Sequence, residues 1–533
     1  MLTLIPIFLL ILFAVIIQFL GRYRLTIGST WLATAGSVLL VWFYMIILRV
    51  LMPSGVTIEN WYPLGIGTDL LVYQFSPRTW VFAFLLVSLL VAVIFTDTIR
   101  LNQGNNLTTW TGSMVLTAVG LFSILSQTLL AVIITWSIID VVEIGILTKI
   151  IDHKKIHYAA VVEFSTRVAG TLMIISVVVI SNIHHLTIEA SAYSAMSLSL
   201  IFSGSVLRLG VLPMHVPFTA NLPVRRSLGT ILRFVAPISV FSFLSQIQPP
   251  KTLDIFSTII FLFALVAALY GAIKWLISQN ELIGRPYWML AFSGLVIITF
   301  LRGQIESMIA LSMIMIVCGG AVFLHSSSSR YFFIYIILLV ISMAGFPYTP
   351  VTPAWVGLLS APIKALDFIL IISLCLLFLG VIRHLLRIQH PDPAIERWMK
   401  MFYAIGLILL FIVPWLTLIW RFKDIRSFIF WYGPVLLLIM IASLLIFRKS
   451  KIDRKILELS YVRKAIGHIG FIGKYLEIVF TFDWLFRLLR KIYEILFRIM
   501  QFFISTLEGD GGLLWALLFL ALLASVIIGD RIP

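Results

Sequence analysis

LLAVIITWSIIDVVEIGIL, residues 129–147, is long enough to cross a bilayer and carries two carboxylates near its centre, Asp140 and Glu143. A membrane span needs about 20 apolar residues, and a carboxylate at the middle of one costs about 2.5–3.5 kcal/mol or more unless it meets a partner or a wet cavity. An acid kept there at that cost marks a functional site. Asp140 and Glu143 are three residues apart, so a helix places them on nearly one face.

The rest of the chain is of the same kind. Of its 533 residues, 61% are apolar and only 12% are charged, which excludes a soluble domain and specifies an all-α polytopic membrane protein. Candidate spans fall near residues 2–20, 31–51, 79–96, 109–126, 128–148, 168–187, 195–214, 227–245, 255–276, 287–301, 306–325, 332–349, 364–386, 403–420, 427–447 and 512–529, so about 14–16 transmembrane helices are expected. The first run follows Met1-Leu2-Thr3 without the basic leader and cleavage site of a secretory signal, and is expected to be retained. Cys318 and Cys375 both lie within apolar segments. Two such thiols build neither a metal site nor a disulfide framework, so no cofactor, metal or catalytic site of the chain's own is expected.

The net charge of +16 is uneven: basic residues crowd between Arg421 and Arg498 and in short loops such as Lys149/Lys154/Lys155. Basic loops of this kind are held on the cytoplasmic side beside anionic lipids, and no nucleic-acid module accompanies the charge. Five regions are expected: spans with a short hairpin loop (1–107), a core (108–360), further spans (361–450), a basic amphipathic segment (451–508) and a last transmembrane helix (509–533). The hairpin is read from Thr57–Gln74, where apolar and polar residues alternate around Pro63, Gly65 and Gly67. Within the basic segment, Phe482–Phe503 sets Arg487, Arg490, Lys491, Glu494 and Arg498 among Trp, Leu, Ile and Phe at helical spacing. That pattern predicts a helix lying in the membrane interface.

Several segments, in order, resemble one family: the antiporter-like, proton-conducting membrane subunits of respiratory complex I, membrane-bound hydrogenases and multisubunit cation/proton antiporters. Trp61-Tyr-Pro-Leu-Gly-Ile-Gly resembles the loop before that family's third helix, and Leu129–Leu147 its helix with Trp-Glu at the centre. Phe164-Ser-Thr-Arg-Val-Ala-Gly resembles the pattern opening the next helix, and Arg208-Leu-Gly-Val-Leu-Pro-Met-His215 its motif of lysine, four residues, proline, any residue and histidine. Leu222-Pro-Val, Leu290-Ala-Phe-Ser and Met343-Ala-Gly-Phe-Pro are similar to its Thr-Pro-Val, Leu-Ala-Tyr-Ser and Leu-Ala-Gly-Ile-Pro. The resemblance spans roughly residues 60–360. It implies two inverted five-helix repeats, each with an interrupted helix, and a row of charges through the membrane centre in which an acid pairs with a lysine.

The chain departs from that pattern where the chemistry would sit. In place of Trp-Glu stands Trp136-Ser137, with Asp140 three residues on as a displaced acid. The family's lysine falls on Arg208, whose guanidinium keeps the charge but cannot release a proton at working pH. The family's next histidine falls on Gly229, with Arg233 one turn later, and no ionisable residue stands near Cys318-Gly-Gly, where the family has a second lysine. Asp140 and Glu143 facing Arg208 and Arg233 would form a buried ion-pair cluster, with His215 a candidate for proton access. Pro213 and Pro347 are the candidate helix breaks, and the adjacent His184-His185 do not share a helix face as metal ligands would.

The expected function is that of a membrane subunit in a complex resembling NADH:quinone oxidoreductase or a cation/proton antiporter, contributing to proton or cation translocation among other membrane subunits in a prokaryotic inner membrane. A degenerate, non-conducting scaffold subunit is the alternative. A membrane-embedded transferase on lipid-linked substrates is a second one, disfavoured because the one long extramembrane stretch is basic and amphipathic rather than rich in acidic ligands.

Overall fold

The computed structural model describes residues 2–21, 23, 26–58, 71–101, 106–150, 154–181, 188, 193–212, 224–250, 254–326, 330–359, 365–385, 396–419, 434–435, 437–438, 483–508 and 511–529. The chain divides into two compact units, 1–449 and 450–533.

In the first unit, α1 (Ile5–Leu20) and α2 (Ile27–Val50) lead into a two-stranded antiparallel ribbon, β1 (Ser54–Ile58) and β2 (Leu71–Phe75), which pairs Val56 with Tyr73. These strands flank the loop expected to form a hairpin; its tip, including Trp61, lies outside the described residues. The cover such a ribbon needs comes from residues 125–127: Gln74 N donates to Leu125 O at 2.9 Å and Gln127 N to Val72 O at 2.8 Å.

Then follow α3 (Pro77–Thr96), α4 (Asn106–Ile124), α5 (Leu129–Ile150), α6 (Lys154–Ser181), α7 (Ala195–Arg208) and α8 (Arg226–Gln246). After them come α9 (Ile255–Ile277), α10 (Glu281–Leu301), α11 (Ile305–Leu324), α12 (Arg330–Met343), α13 (Pro353–Leu358), α14 (Ala365–Leu385) and α15 (Arg397–Ile419). Among the described residues, 12 helices are long and apolar enough to cross a membrane, and Ala195–Arg208 is a shorter apolar one. The chain is an all-α polytopic membrane protein. The candidate span at 427–447 lies almost wholly outside the described residues, as do Pro213, His215 and His184-His185.

α3 and α11 are buried along their whole lengths and form the axis of the unit. That suits helices that are apolar on every side, because no face of them needs water. α1, α2, α9 and α15 instead keep large apolar side chains exposed, among them Phe8, Phe19, Leu32, Phe43, Leu262 and Ile408. Such a surface suits hydrocarbon rather than solvent.

The helices pack in a pattern that occurs twice. In one set α4 packs on α5, α5 on α6, α6 on α7, and α8 closes back onto α4. In the other α9 packs on α10, α10 on α11, α11 on α12 and α13, and α14 closes back onto α9. The fourth member is interrupted in the second set and ends early in the first. α7 stops at Arg208 and passes through Gly210 at φ 70°, while α12 stops at Met343 and passes through Gly345 at φ 77° and Tyr348 at φ 67° before α13. Pro347 stands inside that second break, where its ring and missing N–H oppose helix continuation.

In the second unit, α16 (Asp483–Glu508) has described side chains that are exposed and strongly two-faced, with Arg490 bonded to Glu494 one turn away at 3.1 Å. α17 (Gly511–Gly529) is apolar throughout.

Candidate functional site: a buried ion-pair cluster

Asp140 and Arg208 meet inside the first five-helix set. Arg208 Nη1 donates to Asp140 Oδ2 at 2.7 Å and Nη2 to Oδ1 at 2.9 Å, a two-pronged pairing of planar groups. Arg208 is the last residue of α7, where the negative end of the helix dipole favours a cation. Nη1 also donates to Thr171 Oγ1 at 2.8 Å and to Arg167 O at 3.2 Å, and the guanidinium lies over the Trp136 ring at 4.5 Å. Both Nη groups are thus held by buried neighbours, while Nε is a buried donor without a partner. The serine that stands for the family's acid, Ser137, is exposed and bonds its own helix at Ile133 O.

Glu143 does not join Arg208 or Arg233 as expected. It pairs with Arg167 of α6, which also pairs with Glu163 one turn before it and stands 3.8 Å from Asp140. The cause is geometric: α6 presents Glu163 and Arg167 four residues apart on one face, and α5 packs against that face. Glu163 and Arg167 are the residues that sequence reasoning missed. Arg167 lay within the quoted Phe164–Gly170 motif, and the i, i+4 spacing of the pair in a span was the available signal.

Three carboxylates, Asp140, Glu143 and Glu163, therefore converge on two guanidiniums, Arg167 and Arg208. Asp140 has both oxygens bonded, whereas Glu143 Oε1 and Glu163 Oε2 are buried without a hydrogen-bond partner. Asp140, Glu143, Glu163 and Arg167 border a cavity of about 10 Å³. That is room for one water. Arg233, on α8 and partly buried, interacts electrostatically with Glu163 and with Arg285 of α10, so charge continues past the cluster.

A second group of charges gathers where α3, α4, α8, α10, α11 and α15 end or begin. Asp97 accepts from Trp110 Nε1 at 2.8 Å and pairs with Arg225 at 3.0 Å, while Arg226 pairs with Glu281 at 2.8 Å. Arg100 donates to Ser326 Oγ at 2.7 Å and Arg226 to His325 O at 2.6 Å. His325, just past α11, has its Nδ1 3.3 Å from the Tyr403 hydroxyl. Burial first, then Arg226, pushes its imidazole down to about 4; Glu281 opposes them and Arg100 adds a smaller push in the same direction as Arg226. It is a neutral histidine. A separate pair, Arg302–Asp367 at 2.5 Å, ties the end of α10 to the start of α14. Among the described residues, no group of three or more His, Cys, Asp or Glu side chains is placed to hold a metal ion.

No protein-family model and no curated protein sequence matches the chain. Solved structures do. One is a chain of respiratory complex I from Thermus thermophilus with bound aureothin: TM-score 0.57, 13% identity, 78% of this chain and 98% of that one covered. A second is a chain of the Mrp complex from Dietzia sp. DQ12-45-1b, with TM-score 0.70, 15% identity and 100% of this chain aligned to 63% of that one. A third belongs to the membrane-bound sulfane sulfur reductase, an archaeal respiratory membrane complex, at TM-score 0.62 and 12% identity, covering 98% of this chain and 99% of that one. The chain has the fold of these chains from membrane complexes. It spans only 63% of the Mrp chain's length.

Proposed function

We propose that this protein is a membrane subunit of a multisubunit respiratory or cation/proton antiporter complex, and that it takes part in proton or cation translocation through its buried charges. The observation that carries this reading is the pair Glu143 and Glu163, which share Arg167 while each keeps one buried oxygen without a partner beside a cavity of one-water size. Glu143 and Glu163 share the single guanidinium of Arg167, with Arg233 the next cation beyond Glu163, so a proton or small cation taken up between the two acids need not break an ion pair. Intramembrane acids of this kind mark ion paths.

The roles then divide. Asp140, locked by Arg208, holds α5 to α7; Glu143 and Glu163 hold the exchangeable charge; Arg233 extends the row. His215 remains a proposed access residue, the basic loops are proposed to face anionic lipids, and the membrane is proposed to be a prokaryotic inner membrane.

The test is flux in reconstituted complex. Glu163→Gln is expected to keep the protein at normal membrane levels while proton or cation movement falls at least about tenfold, the size of a step made costlier by about 1.4 kcal/mol. Unchanged flux in Glu163→Gln and in Glu143→Gln would overturn the reading. A scaffold role is the second reading, favoured by Arg208, because an arginine bonded to Asp140, Thr171 and Arg167 O has the features of a fixed strut. It predicts loss of assembly in Asp140→Ala with no flux effect from either glutamine variant.

A further inference from the structure

Among the described residues Arg285 has no role in any ion pair, and its surroundings call for an anion. On α8, Arg226, Gly229 and Arg233 fall on one helical face; on α10, Glu281 and Arg285 stand one turn apart. Arg226 takes Glu281 at 2.8 Å. One turn further along α8, Gly229 gives Arg285 its place, since a Cβ added at Gly229 would stand 2.9 Å from Arg285 Nη1. The guanidinium is 5% exposed and lies 5.5 Å from the Phe323 ring centre. Among the described residues no carboxylate, carbonyl or hydroxyl accepts a hydrogen bond from it, and its Nε is a buried donor without a partner.

Guanidinium carries five N–H donors and stays charged in proteins. A buried charge left uncompensated is costly, and the ion-pairing acids nearby are committed: Glu281 to Arg226 and Glu163 to Arg167. The adjoining charges Arg233, Arg226 and Arg100 add positive potential at Arg285, and Glu281 opposes them only in part. We propose that the seam between α8 and α10 is a binding site for a small inorganic anion of the chloride class, held by Arg285, whose guanidinium Gly229 admits to the seam. The near-complete burial of Arg285 suits a monatomic ion, and a lipid phosphate could not reach it without opening the seam. The proposal stands apart from the transport reading, because it concerns a cation-lined seam rather than the carboxylate cluster.

The test uses the full chain in nanodiscs of zwitterionic lipid, titrated with sodium chloride or sodium bromide against sodium gluconate at matched ionic strength, with the thermal midpoint as readout. Chloride and bromide are expected to raise the midpoint saturably and gluconate not to. Arg285→Met should abolish the saturable rise, and Gly229→Ala, which crowds Nη1, should move its half-point to at least about threefold higher concentration, a loss of about 0.6 kcal/mol. If Arg285→Met does not fold, the wild-type titration and Gly229→Ala still decide. Identical wild-type responses to chloride and gluconate, or a saturable response that survives in Arg285→Met, would overturn the proposal.

Discussion

The two five-helix sets pack their helices in the same order but fill their centres differently. Between α5, α6 and α7 the first set buries Asp140, Glu143, Glu163, Arg167 and Arg208. Between α9, α10 and α11 the second set is aromatic and apolar: Trp275, Trp288 and Phe323 are buried together, Trp288 donates to Met315 O at 3.1 Å, and Gly319 lies against Trp288 and Phe234 of α8. Its buried charges sit at helix ends or on the seam with α8, as the pairs Arg302–Asp367 and Glu281–Arg226 do, with Arg285 beside the latter. One backbone arrangement can thus be stabilised either by ion pairs or by ring packing, and only the first brings groups that can exchange charge.

The largest expected break in that comparison is Asp140→Ala. It strands Arg208 in an apolar interior, and loss of one partner of a buried pair costs about 3–5 kcal/mol, so membrane levels or detergent thermal stability should fall severely. The same experiment on the second set, Asp367→Asn, removes a charge-assisted bond from the half-shielded Arg302 and is expected to cost about 1.5–3 kcal/mol. Equal losses in the two variants would mean that the sets do not differ in how much they rely on charge.

Glycine contacts sharpen the point from the other side, because they are expected to matter equally. A Cβ on Gly170 would stand 2.6 Å from Gly204 O at the α6–α7 crossing, and one on Gly294 would stand 2.4 Å from Ala264 O at the α9–α10 crossing. Each Gly→Ala change should therefore cost about 1–3 kcal/mol by overpacking, seen as a lowered unfolding midpoint. A neutral result at either position would show that its helix pair separates readily.

The smallest expected effect is a pH dependence from His325, which lies among Arg100, Arg226, Glu281 and Tyr403 beyond the end of α11. Its folded pKa of about 4 lies below the ordinary histidine value. The unfolded chain therefore binds the extra proton first, and stability present above about pH 6.5 is lost as pH falls towards 4, at up to about 1.4 kcal/mol per pH unit. His325→Gln should flatten that slope in thermal unfolding measured between pH 7 and pH 5. A slope identical to wild type would place the acid sensitivity elsewhere.

Membrane class, helical fold and the acid-bearing span could be read from the residues in order, because a run of apolar side chains cannot be soluble and a carboxylate within one cannot be incidental. Asp140, Glu143 and Arg208 were visible for that reason. Glu163, Arg167, Asp97, Glu281 and Arg285 were not, since a charge near a span's end reads as an interfacial flank and only packing draws several such ends into one buried site. Glu143 was found but its partner was misassigned, because a helix face fixes direction and not which neighbour arrives there.

What the linear chain determined was thus burial demand: apolar surface had to be hidden in helices or lipid, and each buried charge had to find a counter-charge. Which counter-charge it found was settled by the packing of α5 on α6 and α6 on α7, and by Gly229 making way for Arg285. Ion pairing acts over a few ångströms, and distances that short are set by the fold rather than by order along the chain.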